Sequence, residues 1–304
     1  MDPASINCVI FHGECSDGFS AAWSAWKLLG NRAEYHPAFH GKPPPDVKDK
    51  NVIILDFAYD KKTTKQLIKD AKTFMMRDHH KSAMIMLEGV AKPDWFQLDH
   101  SACILSWEFF HPGQPAPRFL KFIENRDMGW KPYMEYSSEF SMAFDMTPFV
   151  FEAYDRMQNA SAVDDVIERG AHILPYAELV IEKSCKRAVR KRLRGYDVLV
   201  TNSAHWISEI GTRLACECDI AAIWYWDHSS KRAKVSLRSF HDFVDCGSFA
   251  KLYGGGGHAN IAGFEFDKNI EELFNDDIRD NLQSNEQVES ESLSGSDDEK
   301  ESAS

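Results

Sequence analysis

The first part of the chain alternates short apolar runs with stretches of helical spacing. Short, largely apolar runs of strand length fall at 8–11, 52–55, 73–76 and 95–98, and the first of them is continuously apolar. Helical patterns fall at 20–29, 63–71, 102–110 and 118–123. Apolar strands without polar alternation are typical of a parallel sheet that is buried on both faces. Their alternation with helices favours a sheet between helical layers. The pattern therefore predicts an α/β domain over residues 1–160.

A long helix is predicted to join this domain to a second, smaller one. Helical spacing runs from 176 to 194, and Pro175 is expected near the start of this helix, where a proline is tolerated. Four basic residues share one face: Arg187, Arg190, Lys191 and Arg194. Such a face is either a solvated surface or a strip that follows phosphates. Strand patterns at 197–200, 220–226 and 234–239 then indicate another α/β unit. We expect a helical linker over 161–195 and a second domain over 196–282.

Charge is distributed unevenly along the chain. The formal net charge is -12, and residues 283–304 contribute -6 of it, with seven acids against one lysine. This segment lacks aromatic residues, so we expect a disordered acidic tail. Serines beside acids are typical sites of acidophilic kinases, which makes a kinase an expected partner. The acidic balance argues against a nucleic-acid coat protein, which would be basic.

The cysteines and the apolar runs bear on location. Seven cysteines without a Cys-x-x-Cys pair indicate reduced thiols in an intracellular protein. No apolar run approaches the roughly 20 residues of a membrane span, and no basic segment followed by an apolar one opens the chain. We therefore expect a cytoplasmic protein without a membrane partner, and a nuclear location is also compatible.

Acids and histidines recur just after the predicted strands. His12 and Asp17 follow the first run, Asp56 follows the second, and an Asp-His-His triplet at 78–80 follows the third. The carboxyl ends of parallel strands meet at one edge of a sheet. Carboxylates crowded there repel one another unless cations neutralise them. Imidazole and carboxylate donors together predict a divalent-metal site at this edge.

The order of these motifs resembles the DHH phosphoesterase superfamily. Asp17-Gly18, Asp56, the triplet at 78–80 and Asp127 follow one another as in that superfamily. Further along, 235–239 and the glycine-rich 254–264 resemble the DHHA1 domain, which is marked by Gly-Gly-Gly-His ahead of Ala-Gly-Phe. The superfamily includes RecJ-type exonucleases, nanoRNases, cyclic-dinucleotide phosphodiesterases and family II inorganic pyrophosphatases. The resemblance covers residues 6–267 and implies a parallel-sheet DHH domain joined by a helix to a smaller α/β DHHA1 domain.

The resemblance implies a centre for two manganese ions, with Mg²⁺ or Co²⁺ as alternatives. Asp56 would bridge the ions, and the implied ligands are His12, Asp17, Asp56, His79 and Asp127. It also implies that His80 faces the substrate phosphate or the leaving group. We assign Asp78 to orienting a histidine.

Cys15 departs from the family pattern. The family has a histidine, three residues, an Asp, one residue and an Asp, and counting back from Asp17 places the first Asp on Cys15 and the histidine one residue before His12. Sulfur is a soft ligand that suits Mn²⁺ poorly. Cys15 is either a small buried thiol or a metal ligand. The first metal is expected to be held by fewer protein ligands, or more loosely, than in relatives.

The second domain is expected to bind substrate. Arg238 can grip a phosphate with two parallel hydrogen bonds, and His258 can donate to a phosphate oxygen. Glycines let backbone N–H groups approach a phosphate closely. The implied substrate residues are Arg238, Gly255, Gly256, Gly257 and His258.

These expectations converge on a metal-dependent phosphodiesterase. The preferred substrate is a short oligonucleotide or a single-stranded nucleic-acid end, cut by a water that two metals activate. One alternative is a phosphoesterase for cyclic dinucleotides or small nucleotides. A second is a nucleotide-binding protein with weakened catalysis, which the departure at Cys15 keeps open.

Overall fold

A computed structural model describes residues 1–129 and 134–274. The chain divides into two compact units, Met1–Ala177 and a second that begins at Glu178. The first unit contains four strands: β1 (Cys8–His12), β2 (Glu34–Ala38), β3 (Asn51–Leu55) and β4 (Thr73–Arg77). Its helices are α1 (Ser16–Leu29), α2 (Lys61–Asp70), α3 (Lys81–Met86), α4 (Ala102–Phe110), α5 (Arg118–Asp127), α6 (Ser137–Phe144), α7 (Phe151–Arg156) and α8 (Ala160–Lys186), the last of which extends past the boundary.

The sheet of the first unit is parallel throughout, in the order β2-β1-β3-β4. The apolar residues of β1 and β3 are almost entirely buried, as expected for central strands covered on both faces. Aromatic side chains fill the space between the helices, and Trp23 on α1 stacks on Trp107 of α4 with ring centroids 5.6 Å apart. This packing fixes the helices whose ends carry the polar residues described below.

The second unit is built on a six-stranded mixed sheet in the order β5-β6-β7-β8-β10-β9. Its strands are β5 (Val189–Leu193), β6 (Tyr196–Asn202), β7 (Ile220–Asp227), β8 (Arg232–Arg238), β9 (Gly256–Gly257) and β10 (Ile261–Phe266), and its helices are α9 (Ile207–Leu214), α10 (Cys246–Lys251) and α11 (Ile270–Leu273). Only β6 and β7 run parallel among the pairs recorded. The predicted α/β fold class is confirmed.

The helix predicted over 176–194 is wrong in its second half. Helix α8 ends at Lys186, and Val189–Leu193 forms the edge strand β5, antiparallel to β6. Arg194 and Gly195 both have positive φ, which is the backbone of a two-residue hairpin turn whose twist matches the flanking strands. The basic residues therefore do not share a helical face, and Arg190 pairs instead with Asp197.

Two other predictions at this level are wrong. Residues 95–98 do not form a strand: Pro93–Trp95 is a single 3-10 turn, and Phe96 makes an isolated bridge to Asp78. Pro175 lies inside α8 rather than near its start. The predicted acidic tail at 283–304 lies outside the described residues. Within the described ranges, no helix is both long enough and apolar enough to cross a membrane.

Candidate metal centre

The polar residues that follow the strands meet at the carboxyl edge of the parallel sheet. His12 is the last residue of β1, Asp56 directly follows β3, and the triplet at 78–80 directly follows β4. Asp17 lies in the first turn of α1, and Asp127 is the last residue of α5. Three strands and two helices thus bring these predicted ligands to one place.

Asp56 occupies the middle of the cluster. Its backbone is left-handed, with φ of 57°, a conformation that Asp tolerates better than most residues and that turns its carboxylate to the sheet edge. Oδ2 lies 3.4 Å from Nδ1 of His12, while Oδ1 lies 3.4 Å from Nε2 of His79. The two oxygens therefore face two different groups of donors, as a bridging carboxylate requires.

The first of these groups surrounds Nε2 of His79. That nitrogen lies 3.4 Å from Oδ2 of Asp127, 3.8 Å from Oδ2 of Asp17 and 3.4 Å from Oδ1 of Asp56. Asp17 is 2% exposed and is held from behind, because the backbone N–H groups of Ala102 and Cys103 donate to its two oxygens at 2.8 and 2.9 Å. The start of α4 thereby fixes Asp17 and favours its negative charge.

Protonation in this group reflects the crowding of charges. Burial, followed by the charge of Asp56, raises the pKa of Asp17. Burial alone would lower the pKa of His79, but the hydrogen bond with Asp56 and the charges of Asp17 and Asp127 raise it to about 9. Burial opposes ionisation of Asp56, yet hydrogen bonds with His12 and His79 hold the pKa of that carboxyl well below its usual range. A divalent cation would relieve the same repulsion that the histidine protons now offset.

The donor set fits a divalent metal. Oδ1 of Asp56 is buried, and it lies 3.4 Å from Nε2 of His79 and 3.7 Å from Nδ1 of His80, which are long separations for hydrogen bonds. Grouping by donor-atom distance gives three sets: Asp17, His79 and Asp127; His12, Cys15 and Asp56; and Asp56, Asp78, His79 and His80. The ligand atoms of each set lie within 4.8 Å of one another. Carboxylate oxygens with an imidazole nitrogen suit Mn²⁺, Mg²⁺ and similar ions.

Asp78 contacts both histidines of the triplet. It is 1% exposed, and its Oδ1 accepts hydrogen bonds from the backbone N–H groups of His79 and His80 at 2.7 and 3.0 Å. The same oxygen lies 2.7 Å from Nδ1 of the His80 ring. Burial opposes the imidazolium charge, but the hydrogen bond and charge of Asp78 raise the pKa of His80 to about 10. Asp78 therefore holds the ring of His80 in a fixed position.

Cys15 and Gly18 complete the other side of Asp56. Sγ of Cys15 donates to Oδ2 of Asp56 over 3.5 Å. Gly18 leaves no room for a side chain, because a Cβ there would lie 2.5 Å from the carbonyl oxygen of His12 and 3.1 Å from Oδ2 of Asp56. The start of α1 thus packs directly against His12 and Asp56.

The predicted substrate residues belong to the second unit. Nη1 of Arg238, at the end of β8, donates to Oγ1 of Thr212 over 2.8 Å. Packing requires glycine at two of these positions. A Cβ added at Gly255 would lie 2.1 Å from the carbonyl oxygen of Gly263, and a Cβ added at Gly257 would lie 2.5 Å from Cα of Ala262. Gly256 faces open space, and the backbone N–H of His258 donates to Ile261 within the β9–β10 hairpin.

Sequence reasoning missed the groups that position the candidate metal ligands. The N–H groups that hold Asp17 come from the backbone at 102 and 103, which no side-chain pattern reveals. His100 is a second case, since its Nδ1 lies 2.7 Å from Oε1 of the buried Glu124 and ties the start of α4 to α5. The sequence signal for this contact was Glu124, an acid three residues before Asp127 on α5.

Comparison with known proteins gave relatives in both sequence and structure. No family model matches the chain. An uncharacterized protein of Acanthamoeba polyphaga mimivirus is 31% identical over 287 residues, covering 86% of this chain and 68% of that protein. Oligoribonuclease NrnB of Bacillus subtilis strain 168 is 33% identical over 118 residues, which cover 36% of this chain and 28% of NrnB. Among solved structures, the pGpG-specific phosphodiesterase PggH of Vibrio cholerae has a TM-score of 0.50 at 13% identity, covering 93% of this chain and 99% of PggH.

These matches agree with the motifs. The mimivirus protein and this chain share a family over most of the present sequence. The similarity to NrnB is confined to little more than a quarter of that protein, and the similarity to PggH is one of fold. The carboxylates and histidines gathered after β1, β3 and β4 stand in the order that the resemblance required. The chain is a member of the DHH/DHHA1 phosphoesterase superfamily.

Proposed function

We propose that this chain is a divalent-metal-dependent phosphodiesterase that hydrolyses short oligonucleotides from a single-stranded end. The observation that carries the proposal is the convergence of three carboxylates on Nε2 of His79, with His80 held beside them by Asp78. The similarity to NrnB, which is named as an oligoribonuclease, favours short RNA as the substrate class. Mn²⁺ is the proposed ion, and Mg²⁺ and Co²⁺ suit the same donors.

Asp17, Asp56, His79 and Asp127 would hold the metal, with Asp56 shared between the two donor groups. Divalent ions bound there would supply an activated water and would neutralise charge on the phosphoryl oxygens. The protein's part is to keep the ligands fixed. The N–H groups at the start of α4 hold Asp17, and the left-handed backbone holds Asp56.

His80 would supply the proton that the leaving group needs. Its Nδ1 is engaged with Asp78, so its other ring nitrogen would protonate the oxygen that departs as the P–O bond breaks. The ring is partly exposed, with 29% of its side chain accessible, so a substrate can reach it. Asp78 is buried and keeps the imidazolium charge compensated before substrate binds.

Arg238 would bind a substrate phosphate in the second unit. A guanidinium suits paired hydrogen bonds with a phosphate, and the bond to Thr212 holds this one in a defined position. The backbone N–H of Gly256, which has open space around it, and the imidazole ring of His258 are proposed to donate to the same substrate. The roles of Gly255 and Gly257 are first explained by their contacts with β10.

The dinucleotide pGpG is a second candidate substrate, because PggH shares the fold along nearly the whole chain and is named for that specificity. A nucleotide-binding protein with weak catalysis is the remaining alternative. The three differ in their products. An enzyme for short RNA would yield a ladder of shortened products. An enzyme specific for pGpG would yield mononucleotides from that dinucleotide and leave longer RNA intact, and a binding protein would yield no product.

The test is a product ladder from end-labelled RNA and DNA of two to ten nucleotides, with the label at either end. The purified chain is treated with chelator and then reloaded with Mn²⁺, Mg²⁺ or Co²⁺. We expect metal-dependent shortening of RNA one nucleotide at a time, fastest on the shortest chains, and no activity in chelator. Metal-loaded, folded protein that cleaves none of these substrates or pGpG would refute the proposal.

A further inference from the structure

Three donors of different chemistry meet on the side of Asp56 that faces away from His79. Nδ1 of His12 at the end of β1, Sγ of Cys15 ahead of α1, and Oδ2 of Asp56 after β3 all lie within 4.8 Å of one another. We call these three residues the sulfur group. Sγ is 3.5 Å and Nδ1 is 3.4 Å from the same carboxylate oxygen.

The backbone directs the thiol into this group. Glu14 is left-handed, with φ of 55°, and turns the chain sharply between His12 and Cys15. Cys15 occupies the N-cap position of α1 but makes no side-chain capping hydrogen bond, so its sulfur is directed to Asp56 instead of to the helix N–H groups. A residue that only filled space would be expected to contact apolar atoms rather than a buried carboxylate.

The distances suit ligands around one ion. Metal–ligand bonds of about 2.3 Å to sulfur and about 2.1 Å to oxygen, at a tetrahedral angle, separate those two donors by about 3.6 Å. The corresponding separation of nitrogen and oxygen donors is about 3.4 Å. The observed separations are 3.5 and 3.4 Å. Asp56 is 3% exposed, which makes its charge costly to bury without a cation.

We propose that Cys15 is a thiolate ligand and that the sulfur group selects a thiophilic divalent ion such as Zn²⁺, while the group around His79 takes a hard ion such as Mn²⁺. Thiolate favours Zn²⁺ over Mn²⁺, whereas an oxygen-rich set with one imidazole accepts Mn²⁺ or Mg²⁺. The centre is therefore built for two different metals that share Asp56. The inference extends the proposed function, because the ions would be those used in hydrolysis.

The experiment uses Co²⁺ as a spectroscopic probe of the metal-free full chain. Sulfur bound to Co²⁺ gives a near-ultraviolet charge-transfer band, which oxygen and nitrogen ligands do not. We expect the band in the wild-type protein at two equivalents of Co²⁺, its loss in Cys15→Ser, and its retention in His79→Ala. Cys216→Ser is the matched control, because Cys216 is an exposed thiol on the other unit and should not affect the band.

Competition between metals provides a second measurement. Chelator titrations should show Zn²⁺ bound at least tenfold more weakly by Cys15→Ser, while Cys15→Asp should shift the preference of this group from Zn²⁺ toward Mn²⁺. Circular dichroism confirms that each variant is folded. Two bound Co²⁺ ions without the band in wild type, or a band that survives in Cys15→Ser, would overturn the inference. Hydrolysis with Mn²⁺ in the absence of the band would refute the sulfur ligand and leave the proposed function standing. The band without any hydrolysis would support the sulfur ligand and refute the proposed function.

Discussion

Nδ1 of His80 lies 2.7 Å from Oδ1 of Asp78, and this one oxygen also accepts the backbone N–H groups of both histidines in the triplet. Asp78 is buried, so it meets the ring with a charge that water screens little. The pair has the arrangement of an oriented proton donor. Asp78 thus contacts both histidines of the triplet through one oxygen, and its carboxylate lies among donor atoms that could also hold a metal with Asp56 and the two histidines.

His80→Ala should slow hydrolysis of an oligonucleotide by about 10²–10⁴-fold, because a nucleoside oxygen leaves poorly without a proton. It should slow bis-p-nitrophenyl phosphate far less, since p-nitrophenolate needs no proton to depart. Asp78→Asn should cost about 10–100-fold through loss of orientation. Steady-state kcat on both substrates measures this. Equal losses on the two substrates would contradict the assignment of His80 as proton donor.

Gly18→Ala should damage the metal centre directly. The new Cβ would lie 2.5 Å from the His12 carbonyl oxygen and 2.7 Å from its Cβ, so His12 and the start of α1 must move apart. We expect a loss of about 1–3 kcal/mol in the free energy of unfolding and weaker metal binding. Urea titration and calorimetry measure the two effects.

Ser20→Ala is the matched control for Gly18→Ala on the same helix. Ser20 is fully buried, and its hydroxyl makes no hydrogen bond among the described residues, so its removal should cost little. If both variants bind metal like the wild type, the close approach of α1 to the donors has no functional role.

His100→Asn should destabilise the metal-free protein in a pH-dependent way. Burial opposes the charge on His100, but the hydrogen bond and charge of Glu124 outweigh it and raise the pKa of His100. A raised pKa means that the contribution is complete below the ordinary value near 6.5 and is lost as pH rises through the folded-state value. Since 39% of the His100 side chain is exposed, the effect should stay below about 1 kcal/mol.

Urea unfolding of wild type and His100→Asn at pH 6 and pH 9, at one ionic strength, measures this difference. The gap in unfolding free energy should be larger at pH 6. A gap of equal size at both values would mean that the pair with Glu124 contributes packing rather than charge.

Arg238→Ala should raise KM for an oligonucleotide by the equivalent of about 1.5–3 kcal/mol, because a charge-assisted phosphate contact is lost. Hydrolysis of bis-p-nitrophenyl phosphate should be nearly unchanged, since the minimal substrate lacks the additional phosphates. Arg213→Ala is the control, because Arg213 neighbours Thr212 on α9 and pairs with Glu178 at the surface. Equal losses on both substrates would indicate that Arg238 supports the fold instead.

The sequence predicted three of the four described strands of the first unit because these strands are largely apolar. Strands β1, β3 and β4 are short apolar runs, and the residues that directly follow β3 and β4 are acids that can be read by eye. The edge strand β2 was missed, since its sequence Glu-Tyr-His-Pro-Ala has few apolar residues, contains a proline and is only partly buried.

The errors of the second unit have a related origin. Val189–Leu193 is mostly basic, and its long side chains suit a helix as well as a strand; pairing with β6 and the turn at 194–195 decide between them. The position of Cys15 could not be settled from spacing, because the left-handed turn at Glu14 determines where the thiol points. The conformation of 189–193 and the direction of the Cys15 side chain therefore depend on contacts with distant residues, β6 in one case and Asp56 in the other.

The most direct test of the account is single-turnover hydrolysis of a labelled trinucleotide by Asp56→Ala and His79→Ala, on protein of measured metal content. Asp56 faces both donor groups, and three carboxylates converge on Nε2 of His79. We predict that each variant stays folded, binds less metal and cleaves at well under a tenth of the wild-type rate. If either variant keeps more than about a tenth of that rate, equivalent to about 1.4 kcal/mol, the metal centre described here is not where hydrolysis occurs.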